Sequence, residues 1–206
     1  PLGSNSITAT YSGNANTNTS VATLTQTVAK ITPTVTVTTS GHSTYGAPVT
    51  ITSTISSGAT GTITVTSGGV TLGSGTIASN VVTITTSVLP GGTNTILATY
   101  GGDTTHNAAT GTTTQTVSKV STTIALTSSV NPSVANQPVT GTATVPTGVT
   151  GTVTFTNVVT VLGSPTISKG IATVTTSTLP AGSNPIKANY NGDVNYNTAT
   201  ATLTQT

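Results

Sequence analysis

The feature that most restricts how this 206-residue chain can fold is that it repeats itself at long range. Ile96-Leu97-Ala98-Thr99-Tyr100-Gly101-Gly102-Asp103 returns as Ile186-Lys187-Ala188-Asn189-Tyr190-Asn191-Gly192-Asp193, and in weaker form as Ile7-Thr8-Ala9-Thr10-Tyr11-Ser12-Gly13-Asn14. Each copy runs on to a Thr-Gln-Thr ending, at residues 25–27, 114–116 and 204–206. Tyr11, Tyr100 and Tyr190 therefore stand 89 and 90 residues apart. That period is too long for a solenoid turn and fits a small β-sandwich. Inside the unit, Thr60-Gly61-Thr62-Ile63-Thr64-Val65 matches Thr150-Gly151-Thr152-Val153-Thr154-Phe155, and Thr85-Thr86-Ser87-Val88-Leu89-Pro90 matches Thr175-Thr176-Ser177-Thr178-Leu179-Pro180. The one-residue difference falls in the loop from Thr38 to Pro48, whose counterpart from Thr127 to Pro138 is longer.

The repeats set the domain plan: residues 29–117 and 118–206 are complete units, and 5–28 are a partial one matching only the closing hairpin. A hairpin without sheet partners is marginal in water, so this one is expected to fray or to pair with an exposed edge. In a different phasing it would complete the sheet made by residues 30–90. Pro1-Leu2-Gly3-Ser4 looks like the scar of a cleaved expression tag and is set aside from the fold, which implies a longer native protein.

Local patterning is all β. Val35/Val37, Val49/Ile51, Ile63/Val65, Val82/Ile84 and Ile96/Ala98/Tyr100 alternate with threonine, as strands buried on one face require. Of the 206 residues 57 are threonine, whose branched Cβ favours extended backbone while its hydroxyl stays hydrated. Seven strands per unit are expected, near 33–39, 48–55, 61–66, 70–77, 80–87, 95–100 and 110–117, and again near 122–128, 138–145, 151–156, 158–167, 170–177, 185–190 and 199–205. The fold class is two tandem antiparallel β-sandwiches without disulfides, since cysteine is absent.

Composition narrows function. Charged residues make up 3% of the chain, as four Lys+Arg and two Asp+Glu, and there are two histidines. So little acid–base material argues against an enzyme, a resident metal or a cofactor. Four lysines without a cluster make no nucleic-acid footprint, and no apolar run approaches the ~18 residues that a bilayer span needs.

The motifs as a set resemble the bacterial immunoglobulin-like repeats (group 3 type) of secreted and cell-surface proteins. They are the Gly151–Phe155 strand, a Leu162-Gly163-Ser164 turn, a Leu179-Pro180-Ala181-Gly182 corner, the Ile186–Tyr190 strand, the Gly192-Asp193-Val194-Asn195-Tyr196 turn and the Thr114–Val117 ending. The sequence departs from the pattern at His106 (Tyr expected), Asn14 (Asp expected) and Val65 (Phe expected). The resemblance implies that both sandwiches are immunoglobulin-like and belong to an extracellular stalk or spacer of an adhesin-like protein, with no catalytic residue.

Asp103 and Asp193, the only acidic side chains, fall in the turn after the tyrosine strand. One Asp per turn is a poor calcium site; an Asp that organises its own turn by accepting N–H bonds is the simpler reading. In an immunoglobulin topology that turn lies where the first strand enters, which brings Asp103 toward Lys30 and Asp193 toward Lys119. These pairs are expected at the two inter-repeat junctions, where they would fix the angle between neighbours, although exposed ion pairs contribute only ~0–1 kcal/mol. Tyr100 and Tyr190 read as core residues whose hydroxyls find backbone acceptors. His42 and His106 have no counterpart in the other repeat and read as isolated, with no acid beside them. The Gln of the Thr-Gln-Thr endings is expected to face outward; a Thr–Gln ester, or a Lys–Asn/Asp isopeptide bond, lacks catalytic partners and would show as an intact mass short by ammonia or water. An ice-binding threonine array needs flatness that twisted sandwich sheets lack, so no thermal hysteresis is expected.

The expected function is a rigid spacer that holds a distal domain away from the cell, with neighbouring repeats as its partners and any surface glycan or protein contact made through other domains. The short junctions Thr27–Ile31 and Thr116–Val120 favour an elongated pair; a compact particle in small-angle scattering would count against it. The alternative is a carbohydrate-type binding module using the loop residues Asn191, Asn195 and Tyr196.

Overall fold

The computed structural model describes residues 1–56 and 58–206, and the described residues form 17 β-strands and no helix. The hairpin β1 (Gly3–Tyr11) and β2 (Ser20–Val28) is a two-stranded antiparallel sheet of its own. It joins no other sheet edge and does not complete the sheet of the first repeat. Its nine-residue register begins at Gly3 opposite Val28, so Gly3 and Ser4, set aside in the sequence reading, belong to the strand. Ile7, Tyr11, Val21 and Leu24 remain exposed along it.

The first repeat contains β3 (Val35–Thr39), β4 (Ser43–Thr44), β5 (Val49–Ile55), β6 (Thr62–Ser67), β7 (Val70–Thr76), β8 (Val81–Thr86), β9 (Gly92–Tyr100) and β10 (Ala109–Ser118). They form sheets of order β3-β5-β8 and β4-β10-β9-β6-β7. The second repeat contains β11 (Ala125–Ser128), β12 (Val139–Thr144), β13 (Val153–Asn157), β14 (Thr160–Gly163), β15 (Ile171–Thr176), β16 (Asn184–Tyr190) and β17 (Ala199–Gln205). Its sheets run β11-β12-β15 and β14-β13-β16-β17. Strand β4 escaped the sequence reading because two residues carry no alternation; it pairs in parallel with the end of β10, Ser43 opposite Val117. At the same edge of the second repeat the Ser133 N–H donates to the Thr206 carbonyl at 2.7 Å, and the Asn131 side-chain amide donates to the Thr204 carbonyl and accepts the Thr206 N–H at 2.8 and 3.0 Å.

Alternation places Val35, Val37, Val49, Ile51, Ile63, Val65, Ile96, Ala98 and Tyr100 in the first core. Phe155, Tyr190, Val153, Ala188 and Ala143 occupy the second. The missing phenylalanine at Val65 has a packing reason. Ile51 corresponds to Gly141, and a Cβ built on Gly141 would meet the Phe155 ring at 3.5 Å. One repeat fills this space with Ile51 and Val65, the other with Phe155 alone, which conserves volume.

The Leu-Gly-Ser segment is not a turn as expected; Leu72-Gly73-Ser74 lies within β7 and Leu162-Gly163 within β14. A Cβ on Gly73 would stand 2.8 Å from Ile84 Cγ2, and one on Gly163 2.9 Å from Val174 Cγ2. The glycine lets an edge strand close over the facing sheet. Strand β14 is also shorter than expected, because Val158 takes a positive φ of 54° in the turn and Pro165 removes an N–H donor beyond it.

The chain divides into two compact units that do not follow the repeat boundary. One comprises Pro1–Ser40, Val49–Thr86 and Thr95–Gln115; the other comprises Gly41–Pro48, Ser87–Asn94 and Thr116–Thr206.

Candidate functional site

The recurrent polar centre of each repeat is an Asp-clamped turn. In the first repeat Gly102 adopts φ 88°, and a Cβ there would lie 2.9 Å from the His106 carbonyl, so only glycine fits. Asp103 Oδ1 then accepts the N–H groups of Thr105 and His106, both at 2.7 Å. Its other oxygen, Oδ2, accepts the Thr60 N–H at 2.8 Å and the Thr60 hydroxyl at 3.1 Å. The second repeat copies this: Asp193 Oδ1 accepts from Asn195 and Tyr196 N–H at 2.7 and 2.8 Å, and Oδ2 from Thr150 N–H and hydroxyl at 2.9 and 2.8 Å. One carboxylate thus ties its own turn to the loop that leads into a strand 43 residues earlier. The shared Thr-Gly pair at 60–61 and 150–151 is the sequence signal for that partner.

Electrostatics follow from these bonds. Burial alone would raise both carboxyls, but donors from the Thr60 and Thr105 backbone and from His106 outweigh it and hold Asp103 well below the carboxylate range. For Asp193 the Thr150, Asn195 and Tyr196 donors bring the value down to about 2. The Tyr100 and Tyr190 hydroxyls are buried without a backbone acceptor, contrary to expectation. Burial first, and the adjacent Asp carboxylate second, push both phenol pKa values up.

The lysines meet these turns through different atoms from those anticipated. Lys30 Nζ donates to the main-chain carbonyl of Asp103 at 2.6 Å, and Lys119 Nζ to that of Asp193. The carboxylates point into their own clamps, so no Lys–Asp ion pair forms at either place. Asp103 instead meets His106, Nδ1 to Oδ1 3.0 Å, with the two side chains 4% and 11% exposed. His106 is therefore not isolated; its acid lies three residues upstream. His42 donates or accepts at the Ser118 hydroxyl, 2.8 Å away. Among the described residues no group of three or more His, Cys, Asp or Glu could hold a metal ion.

The endings also differ from expectation. Gln115 and Gln205 are buried, each 1% exposed, on the same side of their strands as the core. Gln205 Nε2 donates to the Val130 carbonyl and its Oε1 accepts the Ser128 hydroxyl at 2.6 Å. The last strand outruns the apolar core, and its inward position there faces loop backbone that an amide can satisfy and a hydrocarbon cannot. Corners hold a further recurrent amide: Asn94 and Asn184, both buried, donate to the carbonyls of Pro90 and Gly92, and of Pro180 and Gly182. Their spacing, Leu-Pro-x-Gly-x-Asn in both repeats, is the sequence signal for them.

Within the second compact unit the turn at 193–196 meets residues of the first repeat's loops. The linker is stitched along both sides: Tyr45 N–H donates to the Ser118 carbonyl at 2.9 Å, Val120 N–H to Asn195 at 3.0 Å, and Asn197 N–H back to Val120 at 2.9 Å. Asn195 Oδ1 accepts the Gly91 N–H at 3.0 Å, and the Tyr196 ring stands edge-on to Tyr45 with centroids 5.7 Å apart. Asn191 donates to the Thr152 and Thr154 hydroxyls at 2.9 and 3.1 Å. The structure does not gather the three loop candidates into one ligand cavity; Asn195 and Tyr196 are half-buried against Gly91 and Tyr45.

The profile of the bacterial Ig-like domain (group 3) matches residues 32–118 and again residues 126–206. The chain belongs to the bacterial Ig-like domain (group 3) family. Domains of this family are typically non-catalytic. Among solved structures, the chain is similar to the fibronectin(III)-like modules of Clostridium thermocellum CbhA, at 20% identity over 82% of this chain and 92% of that one, TM-score 0.37. It is also similar to the Yersinia pseudotuberculosis adhesin InvE, at 14% identity over 84% of this chain and 58% of that one, TM-score 0.48. No curated protein matches it in sequence.

Proposed function

We propose that this tandem pair is a structural spacer of a larger extracellular or surface-attached bacterial protein. Neighbouring repeats would be its direct partners, without nucleic-acid binding or membrane insertion by these residues. What supports the reading is the use made of the recurrent polar groups. Asp103 and Asp193, Thr60 and Thr150, and Asn94 and Asn184 are each spent on holding a turn or corner of their own repeat. Membership in the bacterial Ig-like family points the same way. Residues 5–28 fit the reading as the closing hairpin of a further repeat: Ile7 and Tyr11 hold the places of Ile96 and Tyr100, yet stand exposed rather than buried.

The rival, a carbohydrate-type binder, would need Asn191, Asn195 and Tyr196 free to meet a ligand, and Asn195 and Tyr196 already face Gly91 and Tyr45. A glycan array probed with the intact chain separates the two readings. The spacer predicts no selective binding; a clear glycan hit abolished by Tyr196→Ala would overturn it.

A further inference from the structure

The corner that receives the 193–196 turn differs between the repeats at one telling place. Leu89-Pro90-Gly91-Gly92 corresponds to Leu179-Pro180-Ala181-Gly182. The second glycine is demanded by backbone conformation, with φ 115° at Gly92 and 106° at Gly182. Gly91 is not in the left-handed region, and Ala181 occupies the same position of the same fold, so the corner itself accepts a Cβ. The surroundings of Gly91 do not: a Cβ built there falls 2.2 Å from the Val194 carbonyl oxygen and 3.4 Å from Lys119 Cγ. Contacts below 3 Å with backbone cannot be relieved by a side-chain rotation, so the turn would have to withdraw.

A second difference lies beside it. Gly46 and Asn136 hold the same positive-φ place in their loops, at 81° and 65°, two residues before Pro48 and Pro138. By that correspondence Tyr45, which meets the Tyr196 ring, matches Ala135.

We infer that Tyr45 and Gly91 form an acceptor surface matched to an Asn-Tyr turn, and that the second repeat, carrying Ala135 and Ala181, has lost that acceptor. The joint is a lock between two particular ends. Asn195 supplies the acceptor for an N–H that the corner leaves open, Tyr196 supplies an edge-on ring contact, and the missing Cβ supplies the room. The first repeat presents Thr105 and His106 where the second presents Asn195 and Tyr196, so the turn half of the lock is not interchangeable either. The inference rests on these contacts and not on the spacer reading.

Amide exchange by NMR on the intact chain tests it, because the Gly91 N–H reports the joint while Ile63 and Val153 report the two cores. In the wild type the Gly91 amide is expected to be protected. Asn195→Ala and Gly91→Ala should each speed exchange at residue 91 by about three- to tenfold or more, the loss expected when one hydrogen bond opens, with both cores unchanged. Ala181→Gly should leave residue 91 as it was. Free-peptide exchange at Gly91 in the wild type would overturn the inference, as would undiminished protection in Gly91→Ala. Global unfolding of Gly91→Ala would overturn the claim that the corner tolerates a Cβ, and Asn195→Ala would then decide whether the joint exists.

Discussion

Each Asp uses both carboxylate oxygens, and that gives the simplest test at the scale of single residues. Asp193→Asn preserves the oxygen that serves the turn but sets an NH2 group against the Thr150 N–H, donor against donor. A loss of roughly 1–3 kcal/mol is expected from thermal or denaturant unfolding. The pH response has a definite sign. A carboxyl whose folded pKa is lowered, here to about 2 for Asp193, contributes stability in full above the ordinary unfolded value near 4. That contribution is lost as pH falls from about 4 through about 2. Melting temperatures measured across this range should therefore drop in the wild type and drop less in Asp193→Asn. Core exchange offers a second test. Val65→Phe should destabilise the first repeat by about 1–3 kcal/mol through overpacking, and combining it with Ile51→Gly should cost less than the sum of the two single losses; strictly additive effects in the double-mutant cycle would refute the shared volume. The turn glycines, inward valines and isoleucines and the Asp turns were legible in the sequence because each obeys a local rule. The buried Gln205 was not, since its reason lies in a loop carbonyl 75 residues away, and the His106–Asp103 contact depends on a turn that folds an acid three places upstream back onto the ring.

At the scale of elements, strand positions were readable wherever threonine alternates with an apolar residue. They failed where the pattern ends: the two-residue β4, the early stop of β14, and the Leu-Gly-Ser segment, whose glycine signals close approach to a facing sheet rather than a change of direction. The hairpin shows the opposite limit. Its sequence carries the alternation of a closing strand pair, and the structure pairs β1 with β2 over nine positions while leaving both exposed. Alternation fixes which face is apolar without providing anything to cover it. Removing residues 1–28 should leave the main thermal transition of the two repeats unchanged; a fall of several degrees would mean that the hairpin contributes to the first sandwich.

The whole molecule has only four cationic side chains, Lys30, Lys119, Lys169 and Lys187, and no arginine. Trypsin therefore has four bonds to choose from, and the structure ranks them. Lys169 sits exposed at a positive-φ turn, whereas Lys187 lies within β16. Lys30 and Lys119 are held by the carbonyls of Asp103 and Asp193, and the residue after each, Ile31 and Val120, donates its own N–H into the same turn. A protease must draw several residues into an extended cleft, so local opening has to precede cutting. Limited digestion should cleave after Lys169 first and spare Lys30 and Lys119, and early loss of the Lys119–Val120 bond would contradict the stitched linker. The stretch between repeats, ordinarily the first casualty in a multidomain chain, is here among the better guarded. In the extracellular role proposed above, the same bonds that join the linker to its neighbours would also set how long the chain stays in one piece.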